Sequence, residues 1–298
     1  MNKLFLRVAL LGGFAAVAGV PASVAAAERA YAVVDQVQMP AWLERGGQRQ
    51  PLEVGRKLHN RDRIITGDEG RVVVQLAEGS VARLGEKAQL DVNALGRREN
   101  RRFTAAFDVA KGAFRLTTGS GQKAAHQRAV NVRFATITAG LRGTDLWGRA
   151  DAERDVICLL EGRATVVHSR DTPRELSEAS SCYDAAKEEA PTVVDHADLV
   201  QVSLWATQTG VQSGGGYTRR GGRWSVELAT VDGEADALAL YDRAREAGYV
   251  VRIRPLAAEG GYRYALRVPQ LASQEEADAL ARRLAMALEL PSPRVARR

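Results

Sequence analysis

A multidomain chain is what this sequence predicts: an N-terminal all-β roll or sandwich, then a small α+β domain of βαββαβ order. Three observations predict it. Residues 30–186 fall into short apolar runs separated by Gly-containing turns, and no helical period lasts. A Gly-rich stretch over 210–222 then breaks the apolar pattern, and residues 223–298 alternate strand and helix patterns. The composition agrees, since 45% hydrophobic and 26% charged residues in 298 fit globular domains, while 6% aromatics and 28 glycines favour many turns and modest cores over one large barrel.

Residues 1–27 read as an export signal. Lys3 and Arg7 begin it, residues 8–20 are apolar, and Pro21 precedes Ala25-Ala26-Ala27, where cleavage is expected after Ala27. The 13 apolar residues would span only about 20 Å as a helix, short of a ~30 Å hydrocarbon core. The chain is therefore expected to be exported, periplasmic and not membrane-spanning. Loss of Lys3 and Arg7, with no acid in 1–27, takes the formal charge from +6 to +4, a mild excess suited to anionic envelope polymers and equally to plain solubility.

The β domain is expected over 28–186. Residues 71–77 and 80–84 flank Glu78-Gly79, and residues 156–160 and 164–167 flank Glu161-Gly162, both as hairpins; Lys111-Gly112 reads as another reversal. Cys158 and Cys182 stand in runs that can form adjacent strands, and an oxidising compartment permits their disulfide. The basic run over 96–102 reads as a solvated loop. The histidines His59, His126, His168 and His196 stand far apart, so neither a metal site nor a cofactor is expected.

Residues 187–222 read as a flexible linker with a short helix over 196–209, where Leu199, Val202 and Trp205 have helical spacing. Trp205 either packs back onto the β domain or marks a partner site. The C-terminal domain follows over 223–298. Its strands are expected over 224–229, 249–256, 262–268 and 292–296, with helices over 234–247 and from the capping box Ser273-Gln274-Glu275-Glu276 onward. Glu234-Ala235-Asp236-Ala237-Leu238 recurs as Glu276-Ala277-Asp278-Ala279-Leu280, which supports two equivalent halves. Both helices then cover one sheet face and leave the other open. Trp224, Tyr249, Arg252, Arg254, Tyr262, Tyr264 and Arg267 offer rings and guanidinium forks suited to sugars, although periodicity does not decide which of them point outward.

Two resemblances cover nearly all of residues 28–298. The run Trp224-Ser225-Val226-Glu227-Leu228-Ala229, the helix to Ala247-Gly248-Tyr249, and Tyr264-Ala265-Leu266-Arg267-Val268-Pro269-Gln270-Leu271 followed by the capping box resemble a SPOR domain. That family has an RNP-like antiparallel sheet and binds peptidoglycan glycan strands at division sites. The resemblance implies Trp224, Glu227, Tyr262, Tyr264, Arg267 and Gln270 as glycan-binding residues. Glu227 stands where the family commonly has Gln, and Pro269 where it commonly has Gly, so the fold transfers more safely than the ligand. Residues 52–55, 61–67, 76–80 and 159–162, and above all Arg142-Gly143-Thr144 within 135–145, resemble the FecR-like periplasmic β domain. The Arg-Gly-Thr block reads physically as a tight turn, with structural rather than catalytic residues.

These readings imply an exported, non-enzymatic protein anchored to septal or denuded glycan strands by its C-terminal domain, while the β domain engages an envelope protein partner. The alternative is a FecR-type regulatory scaffold whose C-terminal domain no longer binds glycan. Glu78, Glu161, Asp62 and Asp145 cannot be placed as an acid/base pair, and no nucleophile elbow, P-loop or HExxH motif is present. No nucleic-acid ligand is expected either, because the aromatic signature of RNA-recognition modules is missing.

Overall fold

The computed structural model describes the chain except residues 1–29, 99–101, 120–127, 196 and 298. The expected signal over 1–27, the centre of the basic run over 96–102, and His196 thus lie outside the described residues. The N-terminal region is a set of ladders, antiparallel except for the pairing of residues 103–109 with 128–134. β1 (Ala32–Gln38) pairs with β5 (Arg71–Leu76), β5 with β6 (Val81–Leu84), and β6 with the long β8 (Phe103–Thr117). β2 (Ala41–Arg45) lies between β3 (Gln48–Pro51) and β4 (Arg63–Thr66), and β7 (Gln89–Arg97) joins β4 to β8. β8 also carries the parallel β9 (Arg128–Phe134) and the antiparallel β10 (Ile137–Ala150). β10 pairs along its length with β11 (Arg154–His168), which in turn holds β12 (Arg174–Leu176) and β13 (Cys182–Ala186). β14 (Thr192–Val194) borders β13. Alternating apolar residues turn inward, and Phe107, Phe114 and Phe134 meet at 6.1 and 6.2 Å between ring centroids.

The Glu78-Gly79 hairpin forms as expected, between β5 and β6, with Gly79 at φ +99°. Glu161-Gly162 does not reverse the chain; it lies inside β11. Gly162, at φ +88°, faces the register shift between Arg142 and Asp145, and a Cβ there would stand 1.9 Å from the Gly143 carbonyl oxygen. The glycine bends a long hairpin as a bulge instead of closing a short one. Lys111-Gly112 is likewise a bend within β8, pressed against Ala88. The Arg-Gly-Thr block is part of the same bulge. Thr144 Oγ1 accepts from the Arg142 N–H at 3.0 Å and donates to the Arg163 carbonyl at 2.6 Å, while Asp145 holds Arg115 through two hydrogen bonds of 2.8 and 2.7 Å. Cys158 and Cys182 are direct partners across β11 and β13 and are joined by a disulfide.

The C-terminal region follows the βαββαβ plan: β16 (Trp224–Val231), α2 (Glu234–Glu246), β17 (Arg252–Ala258), β18 (Gly261–Leu271), α3 (Gln274–Ala287) and β19 (Arg294–Arg297), where α1 is the helix described below. Strand order is β17–β18–β16–β19, all antiparallel. α2 buries Ala237, Leu240 and Ala244, and Gly248 at φ +84° ends its C-terminal turn. Ser273 caps α3, its Oγ accepting from the Glu276 N–H. The carboxylate of Glu276 does not complete a capping box.

That carboxylate belongs to the junction. Residues 187–222, read above as a flexible linker, carry β14, α1 (Leu199–Thr207) and β15 (Tyr217–Arg219). β15 pairs with β1 on one side and meets β18 at Thr218 and Leu271 on the other, so it joins the two regions edge to edge. Glu276, 2% exposed, accepts from the N–H groups of Gly214, Gly216 and Tyr217 at 2.8, 2.7 and 3.2 Å. A Cβ on Gly216 would sit 3.0 Å from that of Leu280. The glycine run gives close backbone approach, which composition cannot distinguish from slack. Arg283 donates to the carbonyls of Met39 and Gly215, and Gly248 lies against Trp42 and Pro40.

Candidate functional site

Residues directly opposite in an antiparallel ladder share a face, so register assigns the two sides of the C-terminal sheet. Arg252 faces Arg267, Arg267 faces Glu227, and Glu227 faces Arg294. These four form a row across all four strands, on the side away from the helices. Arg254, opposite Ala265, and Arg263, opposite Leu256, extend the same side toward the β17–β18 turn. The other side takes Val226, Ile253, Leu266 and Val268, which pack with the helices into the core.

Of the six residues singled out for glycan binding, two come together on the open side. Glu227 Oε2 accepts from Arg267 Nε and Nη2 at 2.8 and 2.5 Å, and Thr230 donates to its Oε1 at 3.1 Å. Trp224 has the parity of Val226, packs half-buried against the core, and lies 6.0 Å from the Arg297 guanidinium. Tyr264 has the parity of Leu266 and also packs on the core. Tyr262 shares that parity but stands 62% exposed beside the hairpin tip. Gln270, at φ +67°, occupies the irregular end of β18 next to Gly222. Tyr249 is buried at the junction, where burial raises its hydroxyl pKa. The open side is therefore built of guanidinium groups, not rings. Arg294 escapes sequence reasoning, because its place follows only from the β16–β19 register.

The chemistry of this face follows from its charges. Five arginines stand on it with one carboxylate at its centre and Asp232 at the edge, 2.6 Å from Arg263. Arg252 reaches Glu53 of the β region at 3.1 Å, while Arg254 and Arg294 have no ion-pair partner among the described residues. The Arg267–Glu227 pair is partly solvated and is worth about 0.5 to 1 kcal/mol, so it orients Arg267 more than it locks the sheet. Planar forks in a row suit carboxylate and hydroxyl oxygens. Among the described residues no group of three or more His, Cys, Asp or Glu is arranged to hold a metal, and no helix is long and apolar enough to cross a membrane.

Comparison with known families places two domains on this frame. Residues 62–165 match the family model described as FecR protein, and residues 221–293 match that of the SPOR domain. No curated protein matches the chain. Among solved structures, two of a candidate anti-sigma factor from Parabacteroides distasonis, at 1.65 and 2.50 Å resolution, align with 11% identity and a TM-score of 0.41. They cover 76% of this chain and 91% and 90% of their own.

Proposed function

We propose, from a FecR domain followed by a SPOR domain as premise, that this envelope protein performs no catalysis, holds bare cell-wall glycan on its arginine face, and presents its β region to a protein partner. The supporting observation is the uncovered guanidinium row Arg252, Arg267 and Arg294 on the domain that matches the peptidoglycan-binding family. Removing stem peptides from peptidoglycan leaves a free lactyl carboxylate on each muramic residue. A denuded strand is thus a polyanion with hydroxyls between its charges, and a row of forks across strands ~4.8 Å apart can meet several of its oxygens at once. Affinity built this way falls with salt.

Glu227 tunes the face, because its carboxylate occupies the fork of Arg267. Its position also favours a second reading, a regulatory scaffold that has lost its glycan ligand. Co-sedimentation of the full chain with amidase-treated sacculi separates the two. The wild-type protein should pellet, with recovery falling as salt rises. Arg254→Glu with Arg294→Glu should lower recovery about ten-fold, roughly 1.4 kcal/mol, and Glu227→Gln should raise it. Equal recovery in the supernatant with and without sacculi removes the glycan reading and leaves the scaffold.

A further inference from the structure

A second surface lies on the β region, far in sequence from the arginine face. Trp147 and Trp205 stack at 5.2 Å with 16° between their planes, so Trp205 does pack back onto the strands. Beside them opens an apolar slot of about 310 Å³, walled by Val156, Cys182, Val194 and Ala197. Trp147 is 2% exposed, and its indole N–H has no hydrogen-bond partner among the described residues.

Arg149 and Asp151 line this slot and also a neighbouring cleft of about 250 Å³, so the two adjoin at these residues. The cleft carries a cationic excess: Arg71, Lys87, Lys111 and Arg149 line it against Glu86 and Asp151, with Asp151 3.6 Å from the exposed Arg149 guanidinium. Arg71 enters it from a 6% exposed position, held by the carbonyls of Gln208 and Glu69 at 3.2 and 3.0 Å, with no carboxylate of the described residues in ion-pair distance. Lys111 lines the same cleft without a partner among the described residues. A buried guanidinium bonded only to carbonyl oxygens retains a positive charge that an incoming anion can neutralise.

The slot is bordered by a strand edge. β14 pairs with β13 alone among the described residues, and all three of its residues are exposed, Val194 at 45%. Val200 and Leu204 of the following helix stand 69% and 56% exposed. An unpaired edge offers directional N–H and C=O groups that a peptide satisfies and a lipid does not. The slot's volume lies at the lower bound of ~300 to 1,000 Å³ for ligand pockets, enough for a side chain rather than a long acyl chain.

We propose that the β region takes an extended peptide of a partner protein along β14, with an apolar side chain in the Trp147–Trp205 slot and a carboxylate in the cleft of Arg71, Lys111 and Arg149. This rests on the partner reading above and supplies the partner's chemistry. The test is selection of random linear nonapeptides displayed on phage against the full chain, followed by tryptophan fluorescence titration with one synthetic winner. Winners should combine alternating apolar residues with an acid. Binding should weaken about ten-fold for Trp205→Ala, for the rim variant Arg149→Glu, and on N-methylation of the peptide's strand-facing amides. Winners that bind both variants as tightly as wild type overturn the site while the partner reading stands. Displacement of the peptide by phosphatidylglycerol vesicles overturns the choice of a peptide over a lipid. No enrichment at all overturns both the site and the partner reading.

Discussion

The open face and the junction of the SPOR domain each centre on one glutamate, and they use it in opposite ways. On the face, Glu227 shares Arg267 with solvent, and the pair is worth little because water screens it. At the junction, Glu276 is sealed from water and gives its two oxygens to three backbone N–H groups. A carboxylate that can be rehydrated is an adjustable element of a binding surface. One that cannot is a structural latch, whose removal strands its donors. The domain thus carries its sensitivity to mutation on one side and its chemistry on the other.

The sharpest way to break this contrast is at Glu276. Glu276→Ala leaves the three N–H groups of Gly214, Gly216 and Tyr217 without their acceptor, at a cost of about 3 to 5 kcal/mol. The melting temperature should fall by ~6 to 15 °C, and residues 209–222 should become the first site of limited proteolysis. Glu276→Gln, which keeps one acceptor oxygen, should recover part of the loss. Sacculus recovery per folded molecule should not change. A Glu276→Ala protein that melts with the wild type would mean that the glycine run is held without its latch.

Two glycines of similar backbone shape sharpen the comparison. Gly248 at the junction and Gly260 at the β17–β18 turn have φ of +84° and +83°. Alanine at either meets the left-handed penalty of about 1 to 2 kcal/mol. At Gly260 nothing lies within 4 Å of the added Cβ, whereas at Gly248 it would stand 2.6 Å from the Trp42 ring and 2.8 Å from Pro40. Gly248→Ala should therefore cost about 1 to 3 kcal/mol more than Gly260→Ala in denaturant melts. Equal costs would show that the two regions part easily there.

Local signals were legible in the sequence, and long-range ones were not. Ser273 announces the start of α3 because its cap is made three residues away, but the partners of Glu276 lie some sixty residues earlier in the chain, and nothing beside it marks them. Gly112 and Gly162 resemble turn glycines because a bulge and a turn both ask for positive φ; only the partner strand tells them apart. Alternation correctly groups Trp224 with Val226 and Tyr264 with Leu266, yet which side of the sheet the helices cover comes from packing. Aromatic rings therefore read equally well as binding surface or core. The arginines were visible as residues; their alignment into one row needed the register of β16 with β19 and of β17 with β18.

Tyrosine ionisation sets the two regions of the whole molecule against each other with the smallest perturbation. Burial holds the Tyr249 hydroxyl above its ordinary pKa of 10 at the junction. In the β region, burial first and then a hydrogen bond to Asp171 push Tyr183 up to about 12. Above pH 10 the unfolded chain releases these protons while the folded chain still keeps them, so stability is intact below pH 10 and declines as pH rises through the folded values. The melting temperature should thus drop between about pH 10 and pH 12, with proteolysis at residues 209–222 growing over the same window. Tyr249→Phe should remove the alkaline proteolysis and leave the remaining melting decline, whereas Tyr183→Phe should do the reverse. Identical alkaline profiles for wild type and Tyr249→Phe would show that the junction stays closed until the β region unfolds, and the two regions would then open as one unit.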